Sequence, residues 1–281
     1  MKSLGKTIAD LALILWITLN SPWRFLRWRR RLARYFELME STQQPMKQTL
    51  LFIRHGQTTW NVEHLLPGQL PGIPLTETGR EQAERLAEAL KILPVTAVIS
   101  SPLERASETA AYLARVRELP VLLDEDLKDT NVGHWAGKKY DELNKTDPAW
   151  KEFTRNPTAA PEGVETFPQV QQRAVAAVER WSKKEGSGNY LVFVAHADVV
   201  KLLLAYYMGL EVTRAGWLSI DNASVSIVEL DEEQHPRIAA VGWNPRPGWL
   251  KIPDPPSLPV TGTPVVIEEQ PSERSTGDAP A

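Results

Sequence analysis

Between residues 49 and 243, short apolar runs alternate with longer stretches whose apolar residues recur every three to four positions. "TLLFI" at 49–53 reads as a strand. "TETGREQAERLAEALKIL" at 76–93 reads as a helix, with Leu86, Ala89, Leu90 and Leu93 on one face and Thr78 with Glu81 as its capping box. "VTAVISS", "LPVLLDEDL" and "YLVFVAH" are further strands. "LERASETAAYLARVR", "TFPQVQQRAVAAVERWSKK" and "DVVKLLLAYYMGL" are further helices, the second with Thr166 and Gln169 as a capping box. "ASVSIVEL" and "RIAAVGW" close the pattern as late strands, and a loop-rich insert with a small helix near 140–153 interrupts it. Apolar strands alternating with amphipathic helices predict a three-layer α/β fold, a mostly parallel central sheet with helices on both faces.

The ends depart from this pattern. From Asn244 onward proline recurs ("NPRPGWLKIPDPPSLPVTGTP") and the closing stretch is polar, so residues 244–281 are expected to be an extended or disordered tail. Residues 1–45 are read as an extension, with the main domain over 46–243. The extension's apolar run, "TIADLALILWITLN", is shorter than the roughly 20 residues that span a bilayer and is interrupted by Asp10. Arg24, Arg27, Arg29, Arg30, Arg31 and Arg34 follow, interleaved with Trp23, Phe25, Trp28 and Phe36. This mixture suits peripheral contact of residues 12–36 with an anionic membrane surface. The competing reading is an appendage, or upstream sequence, ahead of a domain that starts at Met46. No small-residue cleavage site argues for a secretory leader, and the expected location is cytoplasmic, with membrane association through the extension.

Composition narrows the chemistry. The chain has no cysteine, which excludes disulfides, thiolate catalysis and cysteine metal sites. A net charge of −3 over 281 residues gives no case for nucleic acid as partner.

In open α/β sheets, ligands bind beyond the carboxyl ends of the strands. "LLFIRHG" delivers Arg54 and His55 to that edge, and Gly56 is expected to let the backbone turn tightly and approach a ligand. "VISSPLERA" brings Arg105 in the first turn of a helix, and "LVFVAHAD" brings His196. Two arginines and two histidines at one edge form a concentrated positive site, which a phosphate dianion fits best. Singly, each has a plainer explanation: a solvated rim arginine, or a hydrogen-bonded core histidine. Their joint placement is the signal. The arginines would repel a metal cation from the histidines, so neither metal nor cofactor is expected. Asp198 is expected to cap the helix that follows His196.

The ordered set "LLFIRHGQTTWN", "PLTETGREQA", "ISSPLERASETA", "PEGVET" and "VFVAHADVVKLLL" resembles the histidine phosphatase superfamily, the phosphoglycerate mutase-like group, over about residues 47–243. The likeness is strongest to its probable phosphomutase branch. It implies that His55 takes the phosphoryl group as a phosphohistidine, its other ring nitrogen donating to a backbone carbonyl. Arg54 and Arg105 would clamp the phosphate, His196 would stabilise developing charge, and Thr58 and Asn61 would bind phosphate. The family's usual acid is a glutamate shortly before Gly-x-Trp-x-Gly. Gly133, Trp135 and Gly137 align that frame and put Asp129 in its place, one methylene shorter, so that the loop must move in or a water must bridge. Asp126, Glu125 and Asp141 are the alternative acids. Glu165 matches a glutamate read as structural or rim. His64 is placed at the mouth, and His134 and His235 in solvent or core. The short segment between Gly137 and the next helix leaves a phosphohistidine open to water. The expected activity is therefore hydrolysis of a small phosphorylated substrate. The alternatives are a phosphoglycerate mutase-like phosphomutase and a non-catalytic phosphate-binding protein. Oligomeric state and substrate identity are not encoded in any motif.

Overall fold

The computed structural model describes residues 48–246. Residues 1–45, including the membrane-surface reading of 12–36, and the tail beyond 246 lie outside the described residues. Among the described residues, no helix is long and apolar enough to cross a membrane.

The core strand is β1 (Gln48–Arg54), where Leu50, Leu51, Phe52 and Ile53 are all fully buried. A run buried on both faces belongs at the centre of a sheet. The other strands are β2 (Ala97–Ser100), β3 (Val121–Leu123), β4 (Tyr190–Ala195), β5 (Val225–Leu230) and β6 (Pro236–Trp243). Their order is β3-β2-β4-β1-β5-β6. β1 to β4 run parallel, while β5 and β6 are antiparallel additions. The expected three-layer α/β architecture is present.

Alternate residues of β1 feed two cores. Leu51 and Ile53 pack with Leu86 and Leu113, from helices α2 (Glu77–Ala89) and α3 (Glu104–Arg115). A short helical turn, α1 (Thr59–Val62), precedes α2. Leu50 and Phe52 pack on the other face with Val170 and Leu203, from α6 (Phe167–Ser182) and α7 (Ala197–Tyr207). Truncating Phe52 to alanine there would cost about 3–5 kcal/mol.

The insert forms two helices rather than one: α4 (Tyr140–Thr146) and α5 (Pro148–Arg155). Asp147 separates them, caps α5 through Trp150 N–H and accepts from Trp135 Nε1 at 2.9 Å. Trp135, Trp150, Phe153 and Val164 give the insert its own small core.

Two local expectations are corrected. The cap of α2 is Thr76, whose hydroxyl accepts from Gly79 N–H, and no Thr78–Glu81 box forms. The strand-like φ and ψ of Thr76 start the helix two residues earlier. Gly56 is needed for a different reason from the one expected. A Cβ there would stand 2.5 Å from the Gly79 carbonyl oxygen, so two glycines let the β1 exit pack against the start of α2. The Thr166–Gln169 capping box of α6 forms as predicted.

Candidate active site

Strand register builds the first half of the site. Arg54 pairs with Ala195, so the next residues, His55 and His196, leave adjacent strand ends together. His55 N–H donates to the Ala195 carbonyl at 3.0 Å, and the two imidazole rings lie 5.3 Å apart. β2 runs on the far side of β4, and past its end Ser101 N–H donates to Val194 O at 2.9 Å. Four residues on, in the first turn of α3, Arg105 is fully buried.

The hydrogen bonds fix the roles open to each ring. His55 Nδ1 lies 2.7 Å from the Gly56 carbonyl. A carbonyl only accepts, so Nδ1 carries the proton and Nε2 keeps its lone pair. Burial first, then the Arg54 and Arg105 charges, hold the His55 imidazole well below its ordinary range, hence neutral. His196 Nε2 lies 2.9 Å from Ser101 Oγ, an oxygen that also accepts from Leu103 N–H at 3.3 Å. Ser101 Oγ can give or take a hydrogen here, and the tautomer in which it gives one puts the His196 proton on Nδ1, the nitrogen that faces Asp129. Burial, then Arg105, keeps this ring neutral as well.

Buried polar atoms are normally paired. Among the described residues, eight buried side-chain atoms have no hydrogen-bond partner, and five of them surround this site: Arg54 Nε, Arg105 Nε and Nη1, Thr130 Oγ1 and His196 Nδ1. Arg54 Nη1 is spent on the Ile220 carbonyl and Arg105 Nη2 on the Gly68 carbonyl, both at 2.7 Å, which holds each guanidinium in place.

The second half of the site is Asp129. Its Oδ2 lies 3.1 Å from Arg105 Nη2 and 3.6 Å from His196 Nδ1. The shorter side chain thus meets the cationic cluster directly. Burial pushes its carboxyl up to about 6, against the pull of Arg105 and with the Asp198 charge adding to the rise. The backbone beneath it is clamped. Arg173 of α6 donates to the carbonyls of Asp126, Lys128 and Asp129 at 2.7–2.8 Å. It also forms a two-pronged pair with Glu165 at 2.8 and 2.9 Å. Glu165 in turn accepts from Asn131 N–H at 2.7 Å, and Gln69 Nε2 donates to the Asp129 carbonyl at 2.8 Å. The alternative acids stand elsewhere: Asp126 pairs with Arg180, Glu125 pairs with Lys128, and Asp141 is exposed at the start of α4.

The cleft, of about 430 Å³, is lined by Arg54, His55, Asn61, Leu66, Pro67, Gly68, Asp129, Thr130, Val132, Tyr140, Ala197 and Asp198. Asn61 Oδ1 accepts from Thr58 N–H and Asn222 Nδ2, which leaves its Nδ2 as the donor on the other side. Thr58 is buried, caps α1 and is not among the lining residues. His64, His134 and His235 are exposed and outside the cleft. Asp198 also differs from its expected part. His196 is the N-cap of α7 and no side-chain cap bond forms, so the Asp198 carboxylate is left facing the cleft. A larger cavity of about 790 Å³, at the opposite edge of the sheet beside Tyr207 and Leu230, holds no histidine and no arginine. The smaller cleft is the one with convergent donors.

Sequence reasoning missed Ser101, Gln69, Tyr140, Arg173 and Asn222. Arg173 carries a visible signal: it falls on the apolar stripe of α6 between Val170 and Ala174, where a charge needs a buried partner. Ser101 stands in the quoted "ISSPLERA", but only the fold brings it to His196.

The family model described as "Histidine phosphatase superfamily (branch 1)" matches residues 50–244. Phosphoglycerate mutase-like protein 4 of Arabidopsis thaliana is 37% identical over 159 residues, 55% of this chain and 68% of that protein. The metal-independent phosphoserine phosphatase of the same plant is 34% identical over 190 residues, 66% of this chain and 77% of that one. Among solved structures, Bacillus stearothermophilus YhfR aligns with a TM-score of 0.64 at 35% identity, over 69% of this chain and 96% of its own.

Proposed function

The chain belongs to the histidine phosphatase superfamily, and on that premise we propose that it hydrolyses a small phosphomonoester through a phosphohistidine formed on His55. The observation that carries this reading is the neutral His55 Nε2 beside unpartnered donors from Arg54, Arg105 and His196. In the first step Nε2 attacks phosphorus in line with the ester oxygen, and the P–O bond breaks as the P–N bond forms. Arg54, Arg105 and the His196 Nδ1–H hold the non-bridging oxygens, with Asn61 Nδ2 at the margin.

Asp129 supplies the proton that the leaving alkoxide needs. Its raised carboxyl supports this part, because an acid near the working pH gives up its proton readily. An arriving dianion competes with it for Arg105 and favours its protonated form further. In the second step water attacks the phosphohistidine, Asp129 takes the water proton, and inorganic phosphate leaves. The insert that would enclose an intermediate consists of only two short helices, which favours water over a second substrate as acceptor. The expected working location is the cytoplasm.

Rapid quenching of wild type with a labelled ester tests the reading. Acid-labile phosphate is expected on the protein and absent from His55→Ala. Undiminished label in that variant would move the nucleophile elsewhere. Isomerised product without free phosphate would make the enzyme a mutase.

A further inference from the structure

Beyond the groups already given to phosphate and proton transfer, the cleft lining includes the apolar Leu66, Pro67 and Val132 and the polar Tyr140 and Asp198. Arg54 is the sole cation among the lining residues, and its Nη1 is held by the Ile220 carbonyl. No lysine lines the cleft.

Asp198 is unusual in this setting. Its carboxylate is half-buried and makes no hydrogen bond or ion pair among the described residues. Lys201, one turn along α7, does not pair with it. Its charge is felt by Asp129, Arg54 and Tyr140, which sets it toward the cleft. A carboxylate facing an anion-binding cleft repels any second anionic group on the ligand. The same carboxylate attracts an ammonium group on the ligand.

From this, and resting on the phosphomonoesterase reading, we infer that the leaving-group subsite selects esters of ammonium-bearing alcohols. Esters of neutral alcohols come next, and those whose alcohol half carries a carboxylate or second phosphate are rejected, with Asp198 as the discriminating residue. The other account of Asp198, an acid in a first helical turn favoured by the helix dipole, predicts no substrate selectivity.

Three two-carbon esters separate these accounts: phosphoethanolamine, ethylene glycol monophosphate and phosphoglycolate. They differ chiefly in the charge two carbons from the phosphate oxygen. Wild type should rank them in that order by kcat/KM. In Asp198→Asn the ratio of phosphoethanolamine to phosphoglycolate should fall by about tenfold or more, while Asp198→Glu, which keeps the charge, should retain the preference. Wild-type preference for phosphoglycolate, or an unchanged ratio in Asp198→Asn, overturns the inference. Calorimetric binding of the same esters distinguishes the two levels. Ordered binding without phosphate release would sink the phosphatase reading and leave the selectivity standing. Release with the order reversed would do the opposite, and failure to bind any of the three would overturn both.

Discussion

The two halves of the site are held in different ways. Arg54, His55 and His196 leave the ends of central parallel strands whose side chains fill both cores, so their spacing is set by strand register. Asp129 sits on an irregular segment, and its place depends on a side-chain clamp made by Arg173, Glu165 and Gln69. A residue fixed by register moves only if the sheet comes apart. One fixed by a clamp is displaced when a single guanidinium is lost. The cationic half should therefore respond to mutation by losing chemistry, and the acid half by losing position as well.

Arg105→Ala should give the largest loss in the cationic half apart from that of His55 itself. It removes two unpartnered donors and the partner of Asp129, and a 10²- to 10³-fold fall in kcat is expected, as for about one lost oxyanion donor. Near-wild-type turnover would mean that the cations do not converge on the substrate.

The pH profile separates the halves without mutation. Asp129 must be protonated to act as acid, and its carboxyl lies at about 6. The ratio of kcat/KM on an alkyl phosphate to that on nitrophenyl phosphate should thus be flat below pH 6 and fall by about tenfold per unit above it. Both histidines are held well below the ordinary imidazole range, so no loss from their protonation is expected between pH 7 and 6. A ratio that stays constant from pH 5 to 8 would remove Asp129 from proton transfer.

Arg173→Ala tests the clamp. With the carbonyls of Asp126, Lys128 and Asp129 released, roughly 10- to 100-fold should be lost on alkyl phosphates and much less on nitrophenyl phosphate. Equal loss on both would show that Arg173 supports the whole fold and not the acid alone. Ser101→Ala should have the smallest effect, a fall of about tenfold or less, since it leaves His196 in place but frees its tautomer. Rescue by Ser101→Thr, which keeps the hydroxyl, would support that account.

The same division governs what the sequence could disclose. The strand-borne residues were legible because apolar runs ending in "RHG" and "AH" reveal strand ends, and parallel strands share an edge. Arg105 followed from its place one helical turn past "VISS". Gly56 and Asp198 were assigned other jobs, because the Gly56–Gly79 approach and the choice of His196 as N-cap depend on how α2 and α7 dock. Asp129 was reachable through the Gly-x-Trp-x-Gly frame. Its clamp joins residues 69, 129, 165 and 173, and no local period reports contacts over such separations. The charge of Arg173 on a buried stripe was the one available hint.

The proposed division of labour, with phosphoryl transfer on His55 and proton delivery by Asp129, is tested most directly by the dependence of rate on leaving-group basicity. For a series of phosphomonoesters whose alcohols span nitrophenol to simple alkanols, wild type should show a shallow slope, because the departing oxygen is protonated as it leaves. Asp129→Asn should show a steep one, losing about 10²- to 10⁴-fold on the alkanols and little on nitrophenol. Parallel slopes for the two proteins would contradict the account.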